Sequence, residues 1–148
     1  MPPERPAPLV LLFHGAGATA QHGLNLLIDQ ALAETLQRLP VDPTRLAIGG
    51  FSDGASYAVS LGLTNGDLFS HLVAFSPGLV APTAYRGKPR VFVSHGTRDQ
   101  VLPIDRTSRR IVAELRSGGY DVDYREFDGP HTVPPSIATD AAAWLAAG

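Results

Sequence analysis

Apolar and polar positions alternate along the chain in two rhythms, which predict strands separated by helices. Short apolar-rich runs predict strands at residues 8–13, 45–49, 71–75, 90–94 and 121–127. Helical spacing of apolar residues, with proline or glycine near the ends, predicts helices at residues 21–39, 55–63, 107–117 and 134–147. Because strands alternate with helices, we expect right-handed crossovers, a mostly parallel sheet and the α/β class. The length of 148 residues favours a single domain over 1–148.

The stretch GFSDG at residues 50–54 lies between the second predicted strand and the helix after it. It has the pattern G-x-S-x-G, in which glycines flank a serine because a sharp strand-to-helix turn leaves no room for larger neighbours. Such a turn lifts Ser52 Oγ out of the sheet and places backbone N–H groups at a helix N-terminus. The pentapeptide alone fits both a nucleophile and a helix-capping serine in a glycine-rich turn.

A serine nucleophile needs a base, and the base needs a group that orients it. His131 follows the fifth predicted strand and Asp99 follows the fourth. Because the carboxyl ends of parallel strands meet at one edge of a sheet, we expect Ser52, Asp99 and His131 to converge there. Each residue alone also fits a plain turn or loop role, but the chain order Ser…Asp…His is typical of a hydrolytic triad. The sequence therefore predicts Ser52 as nucleophile, His131 as base and Asp99 as acid.

The first predicted strand ends in the glycine-rich stretch FHGAGA at residues 13–18. A glycine-rich loop at this place can present a backbone N–H to the nucleophile. We therefore assign the N–H groups of Ala16 and Asp53 as the two donors of an oxyanion hole. Leu102 and Val133, beside the acid and the base, are expected to line the substrate pocket, although core packing explains them nearly as well.

The remaining histidines have no spacing typical of metal ligands, so no metal site is predicted. Among them, His95 lies beside the acid loop and could brace the turn that carries Asp99.

Five motifs together resemble the phospholipase/carboxylesterase branch of the α/β-hydrolase superfamily. They are LLFHGAG, DPTRLAIGGFSDGAS, AFSPG, VSHGTRDQVLP and FDGPHTVPP, and they extend over nearly the whole chain. The resemblance implies a cofactor-free serine esterase with the same assignments: Ser52, Asp99 and His131 as the triad, and Ala16 and Asp53 as oxyanion donors. Substrates in this family are mostly short-chain carboxylic esters, with lysophospholipids and thioesters in some members.

The chain departs from the family between the HGAG loop and the helix before the nucleophile. Family members usually have a further strand and loop there, whereas residues 21–27 run directly into residues 28–32. We therefore expect a reduced α/β-hydrolase fold with five strands in the order 1-2-3-4-5, with Leu9–Phe13 at an edge. One-directional crossovers put most helices on one face, which leaves the C-terminal helix around Trp144 to cover the other. Because an apolar edge strand invites pairing, a homodimer or domain swap is expected.

Composition and charge exclude several other classes of function. The chain is 44% hydrophobic and 18% charged, with a net charge of −2 and no basic run, so nucleic-acid binding is not expected. Cysteine is absent, which excludes disulfides and thiolate metal sites. No apolar run is long enough to span a membrane and no secretory leader is recognisable, so a cytoplasmic location is expected by default. A processed secreted form would have the same features.

Two functional hypotheses remain from the sequence. The first is a serine hydrolase that cleaves a small-molecule ester through an acyl-enzyme, without a cofactor. The second is a catalytically impaired α/β-hydrolase scaffold that acts as a binding module, because the shortened chain could have lost pocket walls. Reaction of Ser52 with a covalent probe separates the two. A third reading keeps the enzyme but changes the bond cleaved to a peptide or a thioester, and competing substrates at equal concentration decide it.

Overall fold

The computed structural model describes residues 6–14, 34, 37–38 and 40–148. Its elements are β1 (Ala7–Phe13), β2 (Val41–Phe51), α1 (Asp53–Thr64), β3 (His71–Phe75), β4 (Arg90–Gly96), a short 3₁₀ helix (Ile104–Arg106), α2 (Ser108–Ser117), β5 (Val122–Phe127) and α3 (Pro135–Ala147). The five predicted strands are therefore confirmed, as are the predicted helices at 55–63, 107–117 and 134–147. The helix predicted at 21–39 lies outside the described residues, apart from residues 34, 37 and 38.

The five strands form one parallel sheet in the order β1-β2-β3-β4-β5, which confirms both the α/β class and the predicted strand order. Neighbouring strands end at nearly the same level, since Phe51 pairs with Phe75 and Phe75 pairs with Ser94. Gly96, at the end of β4, pairs with Phe127 at the end of β5. The loops that follow these strands therefore start side by side along one edge of the sheet.

Two apolar layers hold the helices against the sheet. Alternate strand residues such as Ile48, Leu72 and Val91 are fully buried beneath α1 and α2, because side chains in a strand point to opposite faces in turn. On the other face, Phe92 packs with Trp144 and other residues of α3. The C-terminal helix around Trp144 therefore covers the second face, as predicted.

The connection from β3 to β4, residues 76–89, contains no helix and is held along α1 by side-chain hydroxyl groups. Three hydroxyls spaced four residues apart on α1 each accept a backbone N–H from this connection. The pairs are Gly78 with Ser56 (2.8 Å), Ala81 with Ser60 (2.9 Å) and Thr83 with Thr64 (3.2 Å). Each hydroxyl also donates to the carbonyl oxygen four residues before it in the chain. This hydroxyl ladder fixes a long loop beside the edge where the functional groups collect.

Candidate active site

Ser52 occupies the turn between β2 and α1 in a strained backbone conformation. Its φ of 58° and ψ of −121° lie outside the regions that non-glycine residues usually adopt. The turn is held by two hydrogen bonds: Ser52 N–H donates to the Phe75 carbonyl at 2.9 Å, and Ser56 N–H donates to the Ser52 carbonyl at 3.0 Å. The strain is therefore supported by β3 on one side and by α1 on the other.

The glycines that flank Ser52 are required by close backbone approach. A Cβ on Gly50 would lie 2.6 Å from the Phe13 carbonyl oxygen and equally close to the Gly54 carbonyl. A Cβ on Gly54 would overlap the same Phe13 oxygen. The G-x-S-x-G pattern thus has a steric cause in this chain, since both glycines let the turn pack against the end of β1.

Ser52, His131 and Asp99 are joined in one line of hydrogen bonds. His131 Nε2 lies 2.9 Å from Ser52 Oγ, and His131 Nδ1 lies 2.6 Å from Asp99 Oδ2. The three residues come from different loops of the same sheet edge, 79 and 32 residues apart in sequence. The His131 side chain is 15% exposed, whereas the Asp99 side chain is fully buried. The structure therefore brings together the three residues that the sequence selected.

Asp99 is surrounded by hydrogen-bond donors. Its Oδ1 accepts the backbone N–H groups of Val101 (2.9 Å) and Leu102 (2.8 Å). Burial is the largest influence on its pKa and raises it, but hydrogen bonds from Leu102 N–H and His131 oppose burial and hold the pKa of Asp99 below its ordinary value. An ionised carboxylate only accepts hydrogen bonds, so His131 Nδ1 carries the proton and His131 Nε2 is free to accept one from Ser52.

The loops that carry Asp99 and His131 are held together through their backbones. Thr97 N–H donates to the Phe127 carbonyl at 2.8 Å, and Arg98 N–H donates to the Gly129 carbonyl at 3.0 Å. A Cβ on Gly96 would overlap the carbonyl oxygens of Gly129 and Pro130, so glycine is needed where the two loops meet. This contact sets the distance between the acid and the base.

Phe51 and Ser108 make contacts around the site that the sequence does not predict. The Phe51 ring lies 4.7 Å from the His131 ring, centroid to centroid, and limits the positions that the imidazole can take. His95, which the sequence suggested as a brace for the acid turn, is fully buried, with Nδ1 2.6 Å from Ser108 Oγ. Phe51 fills a variable position of G-x-S-x-G and Ser108 belongs to no motif, so only the folded sheet reveals their contacts.

The oxyanion donors are partly described. Asp53 is the first residue of α1, where backbone N–H groups have no partner within the helix. Its N–H is therefore placed at the helix end next to Ser52, as an oxyanion donor requires. Ala16, the other predicted donor, lies outside the described residues.

An open cavity of about 570 Å³ lies beside the base. It is lined by Arg98, Gln100, Val101, Pro130 and His131. The two residues predicted for the pocket are not among these. Leu102 faces Gly78, whose Cβ would lie 3.2 Å from Leu102 Cδ1, and Val133 packs against the core beneath α3. A role for either side chain in substrate contact stays a prediction.

Residues 6–14, 34, 37–38 and 40–148 contain no group of three or more histidine, cysteine or carboxylate side chains placed to hold a metal ion. Within the same ranges, no helix is both long and apolar enough to cross a bilayer.

A parallel sheet flanked by helices, with a strained serine turn at its carboxyl edge, defines an α/β-hydrolase fold. The family model for Phospholipase/Carboxylesterase matches residues 22–146, and the chain belongs to this family.

Curated relatives include acyl-protein thioesterase 1 of Gibberella zeae, which is 30% identical over 114 residues, covering 70% of this chain and 48% of the relative. Acyl-protein thioesterase 1 of Mycosarcoma maydis is 30% identical over 128 residues, covering 79% of this chain and 53% of the relative. The chain therefore spans about half the length of the curated relatives it matches.

Solved structures show the same fold at lower identity. Esterase PE8 superposes with a TM-score of 0.82 at 21% identity, covering 99% of this chain and 96% of that one. A carboxylesterase of Bacillus cereus superposes with a TM-score of 0.75 at 17% identity, covering 95% of this chain and 88% of the other. These likenesses support the architecture on which the site is built.

Proposed function

We propose that the protein is a serine hydrolase that cleaves short-chain carboxylic esters through an acyl-enzyme on Ser52. The observation that carries this proposal is the unbroken hydrogen-bond line from Ser52 Oγ through His131 to Asp99, with distances of 2.9 and 2.6 Å. Both distances are within hydrogen-bond reach, as a nucleophile and its general base require.

In the first half-reaction, Ser52 Oγ attacks the acyl carbon of the ester while its proton moves to His131 Nε2. The imidazolium that forms is stabilised by the Asp99 carboxylate, which keeps its own charge throughout. The tetrahedral oxyanion takes hydrogen bonds from Asp53 N–H and from the donor predicted at Ala16. His131 then passes the proton to the alkoxide leaving group, so that an alcohol departs and the acyl group stays on Ser52.

In the second half-reaction, water enters where the alcohol left. His131 Nε2 takes one water proton as the oxygen attacks the acyl carbon, and a second oxyanion forms at the same donors. Its collapse breaks the bond between the acyl carbon and Ser52 Oγ, and His131 returns the proton to Oγ. The products are a carboxylic acid and the free enzyme.

A thioester is the second candidate substrate, and the curated relatives named acyl-protein thioesterase 1 favour it. The acyl carbon is attacked in the same way, but a thiol has a pKa of about 8.5 and leaves without a proton far more readily than an alcohol does. Hydrolysis of a thioester should therefore depend less on His131 as an acid than hydrolysis of an oxygen ester does.

The first test is covalent labelling with a fluorophosphonate probe, followed by peptide mapping. We expect labelling at Ser52 that is lost in Ser52→Ala and His131→Ala, with kcat for 4-nitrophenyl butyrate reduced on the order of 10⁴–10⁶-fold. Ser136→Ala, at an exposed serine of α3, is the matched control and should label normally. Folded protein that leaves Ser52 unlabelled would support the binding scaffold instead.

The second test separates the two substrate classes. Butyryl oxygen ester and butyryl thioester with the same leaving-group skeleton are offered together at equal concentration, and the two kcat/KM values are compared. We expect the oxygen ester to have the higher kcat/KM and to be consumed first. A thioester preference of about tenfold or more would reassign the leaving group while keeping Ser52 as nucleophile.

A further inference from the structure

A second histidine, His95, lies beside the same Asp99 oxygen that binds His131. His95 Nε2 lies 3.1 Å from Asp99 Oδ2 and 2.7 Å from the Leu102 carbonyl oxygen, while His95 Nδ1 lies 2.6 Å from Ser108 Oγ. We propose that His95 and Ser108 form a buried positioning pair that holds Asp99 in the orientation and charge state His131 needs. This inference rests on the proposed function, and it extends the line Ser52–His131–Asp99 to five connected groups.

The hydrogen-bond partners fix the tautomer of His95. The Leu102 carbonyl can only accept, so His95 Nε2 carries a proton. Burial is the largest influence on the pKa of His95 and lowers it, so His95 is neutral and its Nδ1 is an acceptor. Ser108 Oγ–H therefore donates to Nδ1, and its hydrogen bond is what keeps the proton on Nε2.

This tautomer links His95 to the acid in two ways. His95 Nε2–H donates to the Leu102 carbonyl and Nε2 lies 3.1 Å from Asp99 Oδ2, while Leu102 N–H donates to Asp99 Oδ1 at 2.8 Å. The turn at residues 99–102 is thus closed by one imidazole from β4. Without His95, Asp99 Oδ2 would have His131 as its remaining side-chain donor, and the Leu102 carbonyl would lose its partner.

The charges that face His95 come from three places. Asp99 raises its pKa and His131 lowers it, and both lie at the site. Glu126 of β5 also interacts with His95, but its carboxylate is bound at 2.8 and 2.9 Å by Arg109 of α2. Because Arg109 already binds Glu126, Asp99 is the carboxylate that His95 affects most directly. The pair of His95 and Ser108 therefore acts on the site through Asp99.

The experiment compares His95→Phe, which removes both ring nitrogens, with His95→Gln, whose amide N–H can replace Nε2–H. For His95→Phe we expect kcat to fall roughly 10- to 100-fold with little change in KM, as when partners of ligand-orienting groups are removed. Asp99 Oδ2 would then keep His131 as its one side-chain donor, so the carboxylate would interact more strongly with the imidazolium that forms during the reaction. The rising limb of the pH–kcat/KM profile should move upward by about one pH unit. His95→Gln should restore most of kcat.

His71→Phe is the matched control, because His71 also pairs with a serine hydroxyl, Ser70 Oγ at 2.8 Å, but lies at the opposite end of β3. It should leave kcat and the pH profile unchanged. A folded His95→Phe variant that keeps kcat within about threefold and the same pH midpoint would overturn the inference.

NMR gives a second test, which does not depend on activity and which remains available if His95→Phe fails to fold. In ¹⁵N-histidine NMR of the wild-type protein, His95 should be the neutral Nε2–H tautomer, and Ser108→Ala should shift the downfield proton between His131 and Asp99. A His95 that is protonated on Nδ1, or a downfield proton unmoved by Ser108→Ala, would refute the positioning pair. Because these signals are independent of turnover, they separate this inference from the failure of the proposed hydrolase activity.

Discussion

Replacing Asp99 by asparagine tests the site most sharply, because every close partner of its carboxylate is a donor. Oδ1 accepts two backbone N–H groups, from Val101 and Leu102. Oδ2 accepts His131 Nδ1–H at 2.6 Å and faces His95 Nε2 at 3.1 Å. An asparagine amide keeps the shape of the side chain but turns one of the two acceptors into a donor.

The two orientations of the amide have different costs. With its NH₂ in place of Oδ1, two backbone N–H groups lose their acceptor, at about 1–3 kcal/mol each. With its NH₂ in place of Oδ2, the backbone stays paired and His95 Nε2–H keeps the Leu102 carbonyl as its acceptor, while His131 changes tautomer so that Nδ1 accepts. The second orientation is cheaper, and it leaves a proton on His131 Nε2, facing Ser52 Oγ. A base that already holds its proton cannot accept another from Ser52.

We therefore expect Asp99→Asn to fold normally and to lose on the order of 10⁴ in kcat, equivalent to about 5.5 kcal/mol of transition-state stabilisation. The assay is hydrolysis of 4-nitrophenyl butyrate, with Asp105→Asn as control. Asp105 is exposed and pairs with Arg109, which also keeps its contact to Glu126, so the control should remain active. A folded Asp99→Asn enzyme within about tenfold of wild type would refute the tautomer argument.

The same variant has a predicted dependence of stability on pH. The folded-state pKa of Asp99 is below its ordinary value, so the carboxylate adds stability above its unfolded pKa of about 3.9 and loses it as pH falls through the folded pKa. The difference in unfolding free energy between wild type and Asp99→Asn should thus be largest near neutral pH and shrink below about pH 4. Urea unfolding at a series of pH values measures it, and a constant difference would contradict the argument.

Three further predictions concern the frame around the site. Gly54→Ala should destabilise the fold by about 1–3 kcal/mol in urea unfolding, because its Cβ overlaps the Phe13 carbonyl, and an unchanged midpoint would contradict that overlap. Ser60→Ala removes the acceptor of Ala81 N–H and should speed proteolysis of the 76–89 connection without changing kcat. Leu12 of β1 is 67% exposed, and it lies on the edge strand through which we propose that the protein dimerises. Leu12→Lys should therefore be a monomer in light scattering, and a wild-type protein that is itself monomeric would refute the dimer.

The fold could be predicted largely because each strand carries its own apolar run. The predicted bounds of β3 are the observed ones, and its core residues are buried on both faces. β2 is longer than predicted, since it begins at Val41 rather than Arg45. Pro43 argued against a strand there, but Val41 pairs with Ala7 of β1 and the register shifts before Leu9. Pairing between strands, which local sequence does not encode, decided that boundary.

The part of the site that could be predicted is the part whose position follows from the order of the strands alone. Residues after β2, β4 and β5 must meet at one edge, so Ser52, Asp99 and His131 could be selected without knowing any distance. Phe51 and Ser108 could not, because their roles depend on which way side chains face once the sheet has formed. The sequence carries one signal for a rigid brace, His95 within VSHGTRDQVLP, but nothing local identifies Ser108 as its partner.

The hydrogen bonds that hold Ser52, His131 and Asp99 together lie between β2 and β5. Ser52 is tied to β3 through the Phe75 carbonyl, and the loops of Asp99 and His131 are joined by Arg98 N–H and the Gly129 carbonyl. A strand missing beyond β1, as the sequence predicts, would therefore leave these links intact. The loss of that strand should instead affect the end of β1, where the loop predicted to supply the second oxyanion donor begins. We therefore expect this chain to differ most from longer relatives in how it stabilises the oxyanion. We expect it to differ least in the arrangement of Ser52, His131 and Asp99.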